Sequence, residues 1–405
     1  MVIVAVLLAM SAFYPSCAQE LPKPSADLPS VTSSPEPWND FREFVRPSPP
    51  ERTVTLVRFA SPIQSNVKEN NTVEAEIWIP RDAPRPMPVV VLLHYWGASD
   101  FVVEERFAKE LNFRGIAAVM MTLPYHMRRS PSNVASGTLA IRPDTKHLRE
   151  GLTQAVLDVK RLVDYLSTKS EFDMQRLGIS GVSLGGIVAS LVYNVEPRFR
   201  CAAIVLGGGD IAHIIWNSSF TVDIRTDFRK KGYTEEQLKE ELRPVEPLEY
   251  IDPHRGDNVL IIGAKYDEVI PPESTQKLVN AYGNAQVVWL TTGHFGGALV
   301  ERKLFRTATG FFESKFFAKT FEIPSTISAP TLRLGVVLVP DYELTIAAGM
   351  DVWRPKRLRN IVVNGWITPE GPLLWANLEL ESGFSVGFAL TKERLTFGIG
   401  WSVVL

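Results

Sequence analysis

Ser183 stands between two glycines in Gly181-Val182-Ser183-Leu184-Gly185, where the apolar run "RLGISGV" gives way to the helical pattern "LGGIVASLVYNV". A serine held on a sharp strand-to-helix turn is placed to attack as a nucleophile. Its backbone is strained, and side chains two positions to either side would collide with neighbouring elements, so glycine belongs at both. The turn also sets the serine at a helix N-terminus, where backbone N–H groups face an incoming anion. The plain alternative is a glycine-rich turn with an incidental serine; the buried strand before it favours the nucleophile.

A hydroxyl is a weak nucleophile and needs a base. The histidines are His94, His126, His147, His213, His254 and His294. On a turn of this kind acid and base follow the serine in the order Ser, acid, His. Only His294, in "WLTTGHFGGA", comes late enough to follow the last strand pattern. The acid would hold the imidazole tautomer and stabilise the imidazolium. Asp267, in "GAKYDEVIPPES", is the favoured candidate, with Glu268 beside it and Asp210 after "AIVLGGG" as competitors. An oxyanion would need two N–H donors. Leu184 supplies one by following the nucleophile, and Trp96 or Tyr95 the other from the loop after "VVVLLHYWG". His94 reads as a residue pinning that loop.

These residues must be carried by a regular frame. From Arg52 to about Lys319 strand and helix patterns alternate. "RTVTLVRFA" and "NTVEAEIWIP" are alternating strands, an antiparallel start. "MPVVVLLHY", "IAAVMMTLP", "CAAIVLGGG" and "NVLIIGA" are continuous apolar runs, as strands covered on both faces should be. Helical patterns lie between them, including "HLREGLTQAVLDVKRLVDYLSTK". The fold expected is α/β, a mostly parallel central sheet with helices on both faces. Two long insertions, after Met120 and after Asp210, stand where lids and pocket walls are built. In the first, Tyr125, His126, Arg128 and Arg129 could meet an acidic or sugar-like substrate or form a solvated basic face; Tyr125 and Arg128 are the candidate substrate contacts.

The set "VVVLLHYWG", "QAVLDVKRLVDYL", "RLGISGVSLGG", "GAKYDEVIPPES" and "TTGHFGG", in this order over about residues 53–318, resembles the α/β-hydrolase superfamily, nearest its dienelactone hydrolase and acetyl-xylan-esterase-like branch. The resemblance implies a Ser183–Asp267–His294 triad. Two departures matter. Tyr95 replaces the usual glycine after the loop histidine. The nucleophile is Ser183 and not the cysteine of dienelactone hydrolases, which argues for general ester hydrolysis through an acyl-enzyme. A peptidase or an acyltransferase would use the same triad, and a non-catalytic envelope-associated protein is the reading from another class.

The ends of the chain differ from its middle. Among 405 residues 45% are apolar and 22% charged, with a net charge of -2, so no polyanionic partner such as nucleic acid is expected. The cysteines are Cys17 and Cys201, which leaves no disulfide framework or cysteine-rich metal site. The expected activity calls for no cofactor and no metal; the expected partner is a small-molecule or glycan ester. Val2 to Tyr14 is apolar and Ser16-Cys17-Ala18 resembles a cleavage site, so residues 1–18 read as a signal peptide and the protein as exported. Residues 19–50, rich in Pro and Ser, read as a linker, 51–320 as the hydrolase domain and 326–405 as a β-rich domain. In that last part "TLRLGVVLVP", "ELTIAAGMDVW", "LLWANLEL", "GFSVGFALT" and "RLTFGIGWSVVL" alternate with period two. Leu395, Phe397, Ile399, Trp401, Val403 and Leu405 share one face. About five or six strands fall short of the eight of a closed single-chain barrel. A small antiparallel sheet with its apolar face buried is therefore the first expectation, and outer-membrane attachment or an oligomeric barrel the second.

Overall fold

The seven residues of the strand Met87–Leu93 are all buried. A strand covered by helices on both sides must be apolar on both, which is why this run does not alternate. Val89 and Val91 enter one core, Val90 and Leu92 the other. The structure, a computed structural model, describes residues 40–340, 342–353, 360–380 and 383–404. The segment read as a signal peptide lies outside the described residues, as does Leu405.

Among the described residues ten strands build the central sheet: β1 (Arg42–Arg46), β2 (Arg52–Ala60), β3 (Thr72–Pro80), β4 (Met87–Leu93), β5 (Ala117–Met121), β6 (Phe172–Val182), β7 (Cys201–Val205), β8 (Val259–Ala264), β9 (Gln286–Leu290) and β10 (Thr326–Ile327). Their order is β1-β2-β3-β5-β4-β6-β7-β8-β9-β10. The pairings β1–β2, β2–β3 and β3–β5 are antiparallel and the rest parallel. The helices are α1 (Val102–Phe113), α2 (Thr145–Ser167), α3 (Leu184–Val195), α4 (Ile211–Asn217), α5 (Val222–Lys230), α6 (Glu235–Leu242), α7 (Pro272–Tyr282) and α8 (Glu301–Phe317). α1 and α8 cover one face, where Phe107 stacks on Phe305 at 4.7 Å. α2, α3 and α7 cover the other through Val159, Leu191 and Leu278.

The sheet reaches beyond residues 51–320 at both edges. β1 lies inside the stretch read as a linker. Its five residues are all exposed, so no apolar run announces it. It is held by its ladder to β2, by Phe41 stacked on Phe59 and Tyr165, and by the Arg46–Glu76 ion pair. β10 lies inside the stretch read as the separate β-rich part, yet it extends the hydrolase sheet by pairing Thr326 and Ile327 with Trp289 and Leu290.

Beyond it β11 (Leu332–Val339), β12 (Tyr342–Trp353), β13 (Ile361–Thr368), β14 (Gly371–Glu379), β15 (Phe384–Leu390) and β16 (Leu395–Val404) pair antiparallel in chain order, and β16 returns to β11. The result is a closed six-stranded barrel, which corrects the open sheet expected. The expected direction of burial is corrected as well. Leu395, Phe397, Ile399 and Trp401 point outward and are exposed. Inside, Arg333 pairs with Asp351 and Glu379, Asn364 donates to Asp351, and Asn377 donates to Asn364. Two buried indoles, Trp366 and Trp375, pack there with Val337, Val339, Ala347, Leu373 and Ala389. A Cβ on Gly400 would lie 2.3 Å from the Trp375 ring, so only glycine leaves it room.

Candidate active site

Ser183 sits between β6 and α3 with φ 56° and ψ −116°, a left-handed conformation that L-residues rarely hold. What forces it is crowding. A Cβ on Gly181 would lie 2.1 Å from the Gly185 carbonyl oxygen, and one on Gly185 would lie 2.2 Å from the Leu93 carbonyl oxygen. β6, the first turn of α3 and the end of β4 therefore meet at backbone distance, and the serine projects from the vertex. Its N–H donates to the Val205 carbonyl at 2.9 Å, which ties the turn to β7.

His294 follows β9 and presents Nε2 3.0 Å from Ser183 Oγ. Its Nδ1 lies 2.8 Å from Asp267 Oδ2. With the Nδ1 proton donated to the carboxylate, Nε2 is free to accept from the serine hydroxyl. Asp267 is itself fixed, because its Oδ1 accepts the N–H groups of Val269 (2.9 Å) and Ile270 (2.8 Å). All three side chains are buried.

The two competing acids are engaged elsewhere. Asp210 caps α4 and pairs with Lys277 at 2.5 Å and Lys239 at 3.4 Å. Glu268 accepts from the Val404 N–H at 3.3 Å, at the mouth of the barrel, and burial raises its carboxyl above the usual range.

Ser183 and His294 open into a cleft of about 410 Å³. Tyr95 and Trp96 line it from the loop after β4, and Leu206, Phe220, Phe295 and Leu304 from the other sides. Leu184 opens α3 directly after the nucleophile. The charged pair on the cleft wall is Arg106 with Glu301 Oε2 at 2.6 Å; Glu301 Oε1 is buried without a hydrogen-bond partner among the described residues. Phe220 and Phe295 approach to 5.3 Å and stand half in solvent at the rim.

The first insertion braces the site from behind. His94 is fully buried; its Nε2 accepts the Leu123 N–H at 3.0 Å and its Nδ1 lies 2.8 Å from the Tyr95 carbonyl. Burial, aided by His126 beside it, pushes its pKa down to about 3, so it is a neutral pin. Trp96 Nε1 donates to the Gly137 carbonyl at 2.8 Å, tying the same loop to this insertion. Tyr125 and Arg128, the candidate substrate contacts, are not brought to Ser183. Tyr125 is buried and lines a separate apolar cavity of about 90 Å³ that shares Leu184. Arg128 projects into solvent, 3.8 Å from Glu74, and Arg129 is consumed by a fully buried pair with Asp158 at 2.8 Å. A basic cluster in sequence thus separates into a surface cation and a core ion pair.

Phe220, Leu206 and Phe295 were not singled out from sequence. Phe220 falls inside the second insertion, where pocket walls were expected; Leu206 and Phe295 carried no signal beyond standing next to β7 and His294. Also unforeseen are Thr291 and Thr292, just before His294. Thr291 Oγ1 accepts the Ala329 N–H at 3.0 Å, and Thr292 Oγ1 donates to the Pro330 carbonyl at 2.7 Å.

A nucleophile elbow, a histidine after the penultimate strand of the sheet and an acid after the strand preceding it, on this mostly parallel frame, are the marks of the α/β-hydrolase fold, and the chain has that fold. Comparison with known proteins agrees. The model of the prolyl oligopeptidase family matches residues 149–316. An acetyl xylan esterase from Paenibacillus sp. R4 superimposes with a TM-score of 0.51 at 18% identity, covering 68% of this chain and 88% of that one, a likeness of fold. In sequence the chain is similar to an uncharacterized protein of Mycobacterium tuberculosis, 25% identical over 224 residues. The match takes in 53% of this chain and 48% of that protein, so the chain spans about half the length of this curated relative. A shorter match, 27% over 105 residues, is to the uncharacterized protein YdjC of Bacillus subtilis, covering 26% of this chain and 90% of that one.

Proposed function

We propose that the protein is an exported serine hydrolase that cleaves carboxylic esters through an acyl-enzyme. The observation carrying this reading is the unbroken hydrogen-bonded chain Ser183–His294–Asp267 on the floor of an open, largely apolar cleft. In the reaction Ser183 Oγ attacks the ester carbonyl carbon while its proton passes to His294 Nε2. Asp267 holds the resulting imidazolium. Negative charge on the carbonyl oxygen is met by the Leu184 N–H at the start of α3 and by an N–H of the Tyr95–Trp96 loop. Collapse expels the alcohol, which takes the proton from His294. A water then gives its proton to His294 and attacks the acyl carbon, releasing the acid and restoring Ser183. Export rests on the apolar stretch Val2 to Tyr14 and the small residues after it.

The lining favours esters. Apart from the triad and the Arg106–Glu301 pair, the side chains lining the cleft are aromatic or aliphatic. The match to the prolyl oligopeptidase family model supports a second reading, peptide hydrolysis on the same triad. One experiment addresses both. Ser183→Ala should abolish labelling by a fluorophosphonate and reduce turnover of a p-nitrophenyl ester by about 10⁶, the usual loss for a Ser–His unit. Full labelling of the variant would overturn the assignment of the nucleophile. Cleavage of a peptidyl p-nitroanilide at a rate matching that of the ester would transfer the reading to a peptidase.

A further inference from the structure

The outer face of the barrel is the reverse of that of one that stands in water. A barrel in water fills its bore with the larger apolar side chains and turns polar ones outward. Here the bore is mixed: Arg333, Asp351, Glu379, Asn364 and Asn377 share it with the buried apolar cluster of Val337, Val339, Trp366, Leu373 and Trp375. Outward positions on all six strands are apolar: Leu334, Ile346, Ile367, Leu374, Phe388 and Phe397, one from each, run from 42% to 73% exposed. Among the strand residues whose side chains are described, no charged, amide or hydroxyl side chain points outward. Nineteen of the 27 large apolar side chains exposed among the described residues belong to this barrel.

What covers this belt must surround it. The hydrolase meets the barrel at strand ends, where the Val404 N–H reaches Glu268, and leaves the cylinder's side free. A second copy covers one sector, since an ordinary interface takes about 800 Å² from each partner. A lipid phase covers a cylinder all round. Along β12, the longest strand, the outward apolar positions run from Leu344 to Val352, about 26 Å of strand, or about 20 Å of height at the tilt common in barrels, so the belt reaches into a bilayer without matching the full band of about 25 Å. Aromatic side chains gather at the rim nearest the hydrolase, where Phe384 pairs with Trp401 across β15 and β16 and Trp353 ends β12. Rings of this kind mark the level where a bilayer meets water.

We propose that the barrel of residues 332–404 is seated in a lipid bilayer and fixes the hydrolase domain at its surface. The inference is independent of the hydrolytic reading. The full-length protein, reconstituted with vesicles of phosphatidylethanolamine and phosphatidylglycerol, should float with them in a density gradient after an alkaline carbonate wash. The variant Ile346→Glu/Phe388→Glu/Phe397→Glu, with charges on two opposite sides of the belt, should lose flotation while the hydrolase domain keeps its thermal transition. Leucine at the same three positions should leave flotation intact. If the glutamate variant fails to fold, brominated acyl chains provide the second reading on the native protein: they should quench its indole fluorescence, and Trp401→Phe should reduce that quenching. Native protein that stays at the bottom of the gradient as a detergent-free monomer or a defined oligomer would overturn the proposal. So would flotation undiminished in the glutamate variant.

Discussion

Asp267→Asn separates orientation of the histidine from support of the loop. In the native site Oδ1 accepts two backbone N–H groups, from Val269 and Ile270, and Oδ2 accepts the Nδ1 proton of His294. An asparagine has one oxygen and one NH₂ to divide between these partners. With its oxygen toward the two N–H groups, both remain satisfied and the NH₂ faces His294. Turned the other way, it would set its NH₂ against two donors and leave both N–H groups unpaired, a cost of about 1–3 kcal/mol each. The first arrangement prevails. It forces His294 to accept at Nδ1 and to carry its proton on Nε2, 3.0 Å from Ser183 Oγ, where an acceptor is required. The hydroxyl then has no base. A wrong tautomer costs about 10⁴ in turnover, close to 5 kcal/mol of transition-state stabilisation, while the fold retains both backbone bonds. Turnover of a p-nitrophenyl ester and the melting temperature test both halves. Activity within tenfold of the native enzyme would refute the reasoning, as would a large loss from Asp210→Asn with none from Asp267→Asn.

Three further perturbations bear on buried groups and on the joint between the two parts of the chain. His94 and His126 have pKa values pushed down by burial to about 3 and 4, below the 6.5 of an unfolded histidine, so their contribution is full above about pH 6.5 and lost as pH falls toward 4, at up to about 1.4 kcal/mol per pH unit for each. Glu104 works in the opposite sense. Burial raises its carboxyl from 4.5 to about 8, so it weakens the fold as pH rises through that span, and Glu104→Gln should gain melting temperature over the native protein increasingly up to pH 8; a constant difference would refute this. A chain ended after Ser325 loses β10 and the bonds to Thr291 and Thr292, and should hydrolyse esters far more slowly than one ended after Thr331, which keeps them. Equal activity of the two truncated chains would show that these bonds do not support the His294 loop.

The parts of this structure legible in the sequence are those set by local pattern. Continuous apolar runs give strands buried on both faces, and the order Ser183, Asp267, His294 picks out three side chains that the fold brings within hydrogen-bonding distance. Edge strands escape such a reading, because β1 is wholly exposed and β10 is two residues long; both exist only through their partners. Tyr125 and Arg128 were misplaced because a loop's residues do not disclose which of them turn inward. The barrel shows the deepest limit. A period of two establishes that each strand has an apolar and a polar face, but the side that meets solvent depends on which strands close the ring, and the pairing of β16 with β11 links residues some seventy positions apart.

The bore of that barrel has a consequence for traffic. Trp366, Trp375, the apolar side chains around them and the ion pairs of Arg333 lie in it, with glycines such as Gly400 leaving room for the indoles. Among the described residues these buried side chains obstruct the bore to a molecule the size of an ester. Seated in a bilayer as proposed, such a barrel would act as a rivet and not as a conduit. Whatever the hydrolase consumes must arrive, and whatever it releases must leave, on the side where Ser183 opens to solvent.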